Sequence, residues 1–165
     1  MAGGAEKRFP IGQLDRCGLA RWWPTWLAAG GLALVANLLS PSYFPARSAG
    51  GLVLLVAFQA IVVGLAEDLL LRGLIQAALN AVLSPARRKG LRLGTVLVSI
   101  GFGVSQLANL THQPVSTTLE QVVFATAVGL VLGSRYDTSG NLWGAVILHN
   151  ALDAMAVAVP LLLVR

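Results

Sequence analysis

Apolar stretches close to the length of a bilayer crossing recur along the chain, at 22–39, 50–83, 93–110, 119–132 and 142–164, separated by short polar or basic connections. A spanning helix needs about 20 mostly apolar residues. Hydrophobic residues make up 56% of the 165, charged residues only 12%, and mean hydropathy is +0.73. So little polar surface cannot coat a soluble globule of this size, and lipid is the expected solvent. The fold class that follows is all-α: a polytopic transmembrane helix bundle of about five spans.

Residues 1–21 are polar and basic and read as a cytoplasmic N-terminal segment; 22–165 read as one membrane domain. The run at 22–39 is expected to be a retained anchor. A cleaved signal peptide is the alternative, but the polar lead is long and no small-x-small site follows. The element at 50–83 is too long for one untilted span, so it is either a long tilted helix or one broken near Gly64 or Gly73. Pro85, Pro114 and Thr138-Ser139-Gly140 punctuate the later gaps, and Pro160 is expected to bend the end of the last helix.

The net charge of +5 does not mark a nucleic-acid binder, because the basic residues sit between apolar runs and are not interleaved with stacking aromatics. Cys17 is the sole cysteine, which excludes an intrachain disulfide and a thiolate metal cage. Membrane lipid is therefore the first expected partner.

Several ionisable and amide side chains fall inside the apolar runs. Glu67, Asp68 and Arg72 lie in the second, Gln106 and Asn109 in the third, His149 and Asp153 in the fifth. Each Asp or Arg at a helix centre costs about 2.5–3.5 kcal/mol on insertion scales, so several together imply a shared interior site. Asp68 and Arg72 are four residues apart, as are His149 and Asp153, and Phe102 and Gln106; each pair shares a helix face. Asp68 and Arg72 can equally be an ion pair that locks the bundle. Glu67 lies about 100° round the helix from Asp68 and needs a partner of its own. A water held between Glu67 and the His149 imidazole would be a workable nucleophile. Gly129 and Gly133 form a small-xxx-small pair expected to mark close helix packing.

In this order the residues resemble the CPBP family of intramembrane proteases, which includes CAAX-processing and bacteriocin-related enzymes. The family pattern is Glu-Glu-x-x-x-Arg, then Phe-x-x-x-His, then His-x-x-x-Asn/Asp. Here it reads Glu67-Asp68-Leu69-Leu70-Leu71-Arg72, Phe102-Gly103-Val104-Ser105-Gln106 and His149-Asn150-Ala151-Leu152-Asp153, and the likeness covers roughly 50–160. The resemblance implies an endopeptidase that uses a glutamate-activated water near the end of a membrane-anchored or lipidated protein. By the same resemblance Glu67 is the general base, Asp68 and Arg72 support it, and His149 with Asp153 binds the developing oxyanion. Two positions depart from the pattern. Asp68 shortens the second carboxylate by one methylene. Gln106 replaces the second-motif histidine and can hydrogen-bond a water but cannot take up its proton.

That replacement leaves His149 as the only intramembrane histidine, so neither a metal nor any other cofactor is expected. It also keeps a second function open, a catalytically inactive relative acting as a membrane scaffold or immunity factor. A small transporter or proton relay is a third, although no paired half-repeats are visible.

Basic residues also set an expected topology. With the N-terminus inside, Lys7, Arg8, Arg16, Arg21, Arg87, Arg88, Lys89, Arg92 and Arg135 fall on the inner side, and only Arg47 and Arg165 fall outside. Trp22, Trp23, Trp26 and Trp143 then lie at the inner interface, and the whole suits a prokaryotic inner membrane. A C-terminal phosphatase fusion should be active and a C-terminal fluorescent-protein fusion dark; the reverse pattern would invert the topology.

Overall fold

The computed structural model describes residues 24, 49–83 and 91–163, all helical apart from short connections. The expected span at 22–39, Cys17 and the basic loop around Arg87 lie outside the described residues.

The first described helix, α1, runs through 49–83 without a break. It is α-helical over Ala49–Ala57, widens to π winding over Phe58–Val63, returns to α over Gly64–Asp68, widens again over Leu69–Gln76 and closes as α over Ala77–Leu83. Gly64 keeps ordinary helical angles, φ −62° and ψ −37°, so neither it nor Gly73 breaks the rod. Its length, about 50 Å at about 1.5 Å per residue, exceeds the roughly 30 Å hydrocarbon layer.

The widening has a sequence cause. Gly64, Asp68, Arg72, Gln76 and Asn80 are all buried, at a strict interval of four. In an α-helix, residues four apart drift by about 40° per step, and over four steps by about 160°, which would swing one end of the row into lipid. A π-wound turn, closed by i→i+5 bonds, holds more than four residues and drifts the other way. Alternating the two keeps the polar row on one face. That matters because an unpaired polar group facing hydrocarbon costs several kcal/mol.

Helix α2 spans Leu93–Ser105 and tightens into a 3₁₀ segment at Gln106–Thr111. Helix α3, Val115–Ser139, extends beyond the apolar stretch at 119–132 in both directions. Hydropathy marked only the most apolar part; Thr117, Thr118, Ser134 and Arg135 continue the helix beyond it. Both Leu93–Thr111 and Val115–Ser139 are long and apolar enough to cross a membrane. Gly140, at φ +63°, ends α3 in the left-handed conformation, its N–H donating to Tyr136 O at 2.8 Å. The side chain of Asn141 then accepts from Trp143 N–H at 3.0 Å and caps α4, Leu142–Leu163, which continues helically past Pro160.

Neighbouring helices run antiparallel. Asn80 of α1 meets Thr95 of α2, Ser99 of α2 lies against Gly129 of α3, and Gly64 and Gly73 of α1 face Asn150 and Leu142 of α4. Apolar packing is concentrated between α3 and α4, where Val128, Leu132, Ala145, Leu148 and Leu152 form one cluster. Tyr136, Leu142 and Val146 form a second, extended by Leu65 and Trp143. Outward faces are apolar too, with Val53, Leu54, Ile61, Ile100, Val104 and Val123 exposed, as lipid contact requires.

Glycine sets the α2–α3 distance. A Cβ on Gly129 would sit 3.1 Å from Ser99 Cα, and one on Gly133 2.7 Å from Thr95 Cγ2, so the pair does mark close packing. Gly103 is tighter still: its added carbon would lie 2.7 Å from Val122 O and run into Thr126 Oγ1. Gly103→Ala should destabilise the detergent-solubilised protein by about 1–3 kcal/mol in thermal unfolding. Gly101→Ala, with nothing within 4 Å, should be neutral or stabilise by up to about 1 kcal/mol. Equal effects from the two substitutions would refute this packing.

Candidate functional site

Row geometry on α1 delivers Asp68 and Arg72 to the interior, and α4 brings His149 opposite them. Arg72 Nη1 lies 2.8 Å from Asp68 Oδ1, with both side chains buried. At that separation the two groups form a buried ion pair. The guanidinium also lies 5.0 Å above the Phe102 ring, a cation–π contact that compensates its desolvation.

His149 stands among three carboxylates. Its Nδ1 is 3.4 Å from Asp68 Oδ2, and its Nε2 is 3.6 Å from Glu67 Oε2 and 3.8 Å from Asp153 Oδ1. The imidazole meets the edge of Phe102 with ring centroids 5.4 Å apart at 79°. Phe102 therefore touches both Arg72 and His149. Exposure divides the cluster: Asp68 and His149 are buried, whereas the side chains of Glu67 and Asp153 are 37% and 28% exposed. The two open carboxylates flank the Nε2 edge of the ring, so whatever enters meets Glu67, Nε2 and Asp153 together.

Of the residues singled out from sequence, Glu67, Asp68, Arg72, His149 and Asp153 converge. Gln106 is placed differently. One turn beyond Phe102, in the 3₁₀ segment, its Oε1 accepts from Asn109 Nδ2 at 3.3 Å, and Asn109 Nδ2 also donates to Gln121 Oε1 at 2.8 Å. No ion pair or hydrogen bond among the described residues joins Gln106 to the carboxylate cluster.

A second polar cluster escaped the sequence reading. Asp137 Oδ1 accepts from Gln76 Nε2 at 3.0 Å and Asn80 Nδ2 at 2.9 Å, while Asp137 Oδ2 accepts from Thr95 Oγ1. Gln76 Nε2 also donates to Gly133 O at 3.0 Å, and Arg92 Nη2 to Asn80 O at 3.0 Å. This network pins the far end of the α1 row to α2 and α3. Its signal was present: Gln76 and Asn80 continue the interval of four begun by Asp68 and Arg72.

A family model for type II CAAX prenyl endopeptidase Rce1-like proteins matches residues 48–155. The chain belongs to this Rce1-like family. The matched stretch holds all three sequence motifs, and together with the two apolar helices it marks an integral membrane protein. Neither curated proteins nor solved structures give a match. Family membership implies a CAAX protease-like peptidase. Among the described residues, no three His, Cys, Asp or Glu side chains are arranged as a cage for a metal ion.

If Asp68 and Arg72 neutralise one another in the interior, removing one partner is worse than removing both. Arg72→Met should cost about 3–5 kcal/mol of stability, and Asp68→Leu added to it should recover at least half of that. Thermal unfolding of the purified variants measures this, and strictly additive losses would exclude the pairing.

Proposed function

We propose that this Rce1-like protein is an intramembrane endopeptidase that hydrolyses a peptide bond near the end of a membrane-anchored or lipidated protein, with Glu67 as the base. The observation that carries the reading is the approach of Glu67 Oε2 to His149 Nε2, 3.6 Å, on the open side of an otherwise buried cluster. That separation leaves no room for a water on the line between the two atoms. It leaves room for one beside them, touching both from the exposed side of Glu67, within the reach a general base requires.

In this reading Glu67 takes a proton from the water as the water oxygen bonds to the scissile carbonyl carbon, and the carbonyl electrons move onto oxygen. His149 donates its Nε2 hydrogen to that oxyanion, and Asp153, when protonated, supplies a second donor. Glu67 returns its proton to the amide nitrogen as the oxyanion electrons re-form the carbonyl and the carbon–nitrogen bond breaks, releasing an amine and a carboxylic acid. Asp68 and Arg72 do no chemistry; Asp68 holds the Nδ1 side of the imidazole, and Arg72 balances Asp68.

Gln106 favours a second reading, a silent relative that binds the same class of substrate as a scaffold or immunity factor. Its amide cannot take up a proton, and Asn109 occupies its oxygen. Incubation of the purified protein with anchored peptides, followed by mass spectrometry, separates the two. Under the peptidase reading wild type cleaves and Glu67→Gln abolishes cleavage without loss of folding. Cleavage that survives Glu67→Gln rejects the mechanism, and a silent wild type that becomes active only as Gln106→His establishes the alternative.

A further inference from the structure

At the end of the bundle remote from Asp137, four side-chain amides are linked in a chain. Beyond the Gln106–Asn109–Gln121 links, Gln121 pairs reciprocally with Gln113: Gln113 Nε2 donates to Gln121 Oε1 at 3.2 Å, and Gln121 Nε2 donates to Gln113 Oε1 at 3.1 Å. All four are half-buried, so one side of the chain is open. The backbone presents them firmly, because the N–H groups of His112 and Gln113 both donate to Asn109 O at 2.9 Å.

Their hydrogen-bonding capacity is only partly used. Gln106 Nε2 and Asn109 Oδ1 have no partner among the described residues, and Gln113 and Gln121 each spend one of two amide hydrogens. From 106 to 121 the one Asp, Glu, Lys or Arg is Glu120, exposed beside Gln121, and the four linked side chains are themselves uncharged, so a ligand on them is read by amide chemistry. Leu107, Leu110, Val115 and Leu119 are exposed around the amides. The amides themselves are neutral, rich in paired donors and acceptors, and bordered by apolar groups. The polymer with that complement is a peptide main chain, whose amides can replace the Gln113–Gln121 pair with bonds of the same kind and near-equal strength.

We propose that Gln106, Asn109, Gln113 and Gln121 form a shelf that binds the main chain of an extended peptide and leads it over Phe102 to Glu67. The inference rests on the peptidase reading only for the destination; the shelf itself needs a peptide ligand and no cleavage. It gives Gln106 a task suited to an amide. With Oε1 held by Asn109, its NH₂ group is left for a ligand, on a residue one helical turn beyond Phe102.

The test is binding of a fluorescein-labelled, farnesylated CAAX peptide to the full-length Glu67→Gln protein in detergent micelles. Gln113→Leu with Gln121→Leu should weaken binding about tenfold. A series of probes N-methylated at successive main-chain nitrogens, tested against otherwise unaltered Glu67→Gln protein, should lose affinity at every second position, as an extended strand requires. Those losses should vanish in the double variant. Affinity within twofold for every N-methylated probe, additive effects of methylation and substitution, or no binding of the parent peptide would each overturn the shelf. Cleavage by wild type is scored separately. Peptide bound through the amides but left uncut keeps the shelf and removes the peptidase reading; cutting that ignores both shelf substitutions and methylation does the opposite.

Discussion

Burying a charged pair where the alternative surroundings are hydrocarbon constrains this bundle more than any apolar contact. Asp68 and Arg72 neutralise each other, yet the ion pair is tolerable only if both groups stay inside, and the amides that continue their row must stay inside as well. The winding of α1 follows from that demand. Gly64 allows α4 close, since any side chain there would collide with Asn150 Oδ1, and glycines on α2 and α3 bring those helices near enough to close the other sides. Small residues at interfaces and polar residues as links are how helices associate when lipid is as apolar as leucine.

The cluster at Asp137 serves the same end by another route. Its carboxylate gathers donors from two helices, Gln76 and Asn80 on α1 and Thr95 on α2, so rotation of α1 about its axis breaks several bonds at once. Glu67 gains indirectly. It is the one acidic group of α1 in the site left partly open, and its direction is fixed by residues one to three turns away that never meet a substrate.

Much of this could be read from the chain. Intramembrane charge singled out Glu67, Asp68, Arg72, His149 and Asp153, and i, i+4 spacing tied Asp68 to Arg72 and His149 to Asp153, because an unpaired charge is costly in lipid. The limits of α3 could not be read, since hydropathy reports where lipid begins and is silent on where hydrogen bonding ends. The unbroken course of α1 was also obscure: Gly64 and Gly73 look like breaks until the opposing helix supplies a reason for a missing side chain. Asp137 sat in a stretch that resembled a polar connection, and only the fold shows that its partners come from α1 and α2. The separation of Gln106 from the carboxylates was hidden for a related reason, because the motif interval assumes α winding and the helix tightens at Gln106.

The reversal between α3 and α4 is made by two residues, Gly140 and Asn141, each committed to a cap. So short a link leaves no slack between the helices, and the distance from the bend to His149 is a local quantity of about 10 Å along α4. The depth at which the imidazole rests is therefore a property of the hairpin itself, set without reference to α1. The hairpin thus carries its histidine at one fixed level, the level at which α1 must present Asp68, and what is left to fit between α1 and the hairpin is rotation more than height.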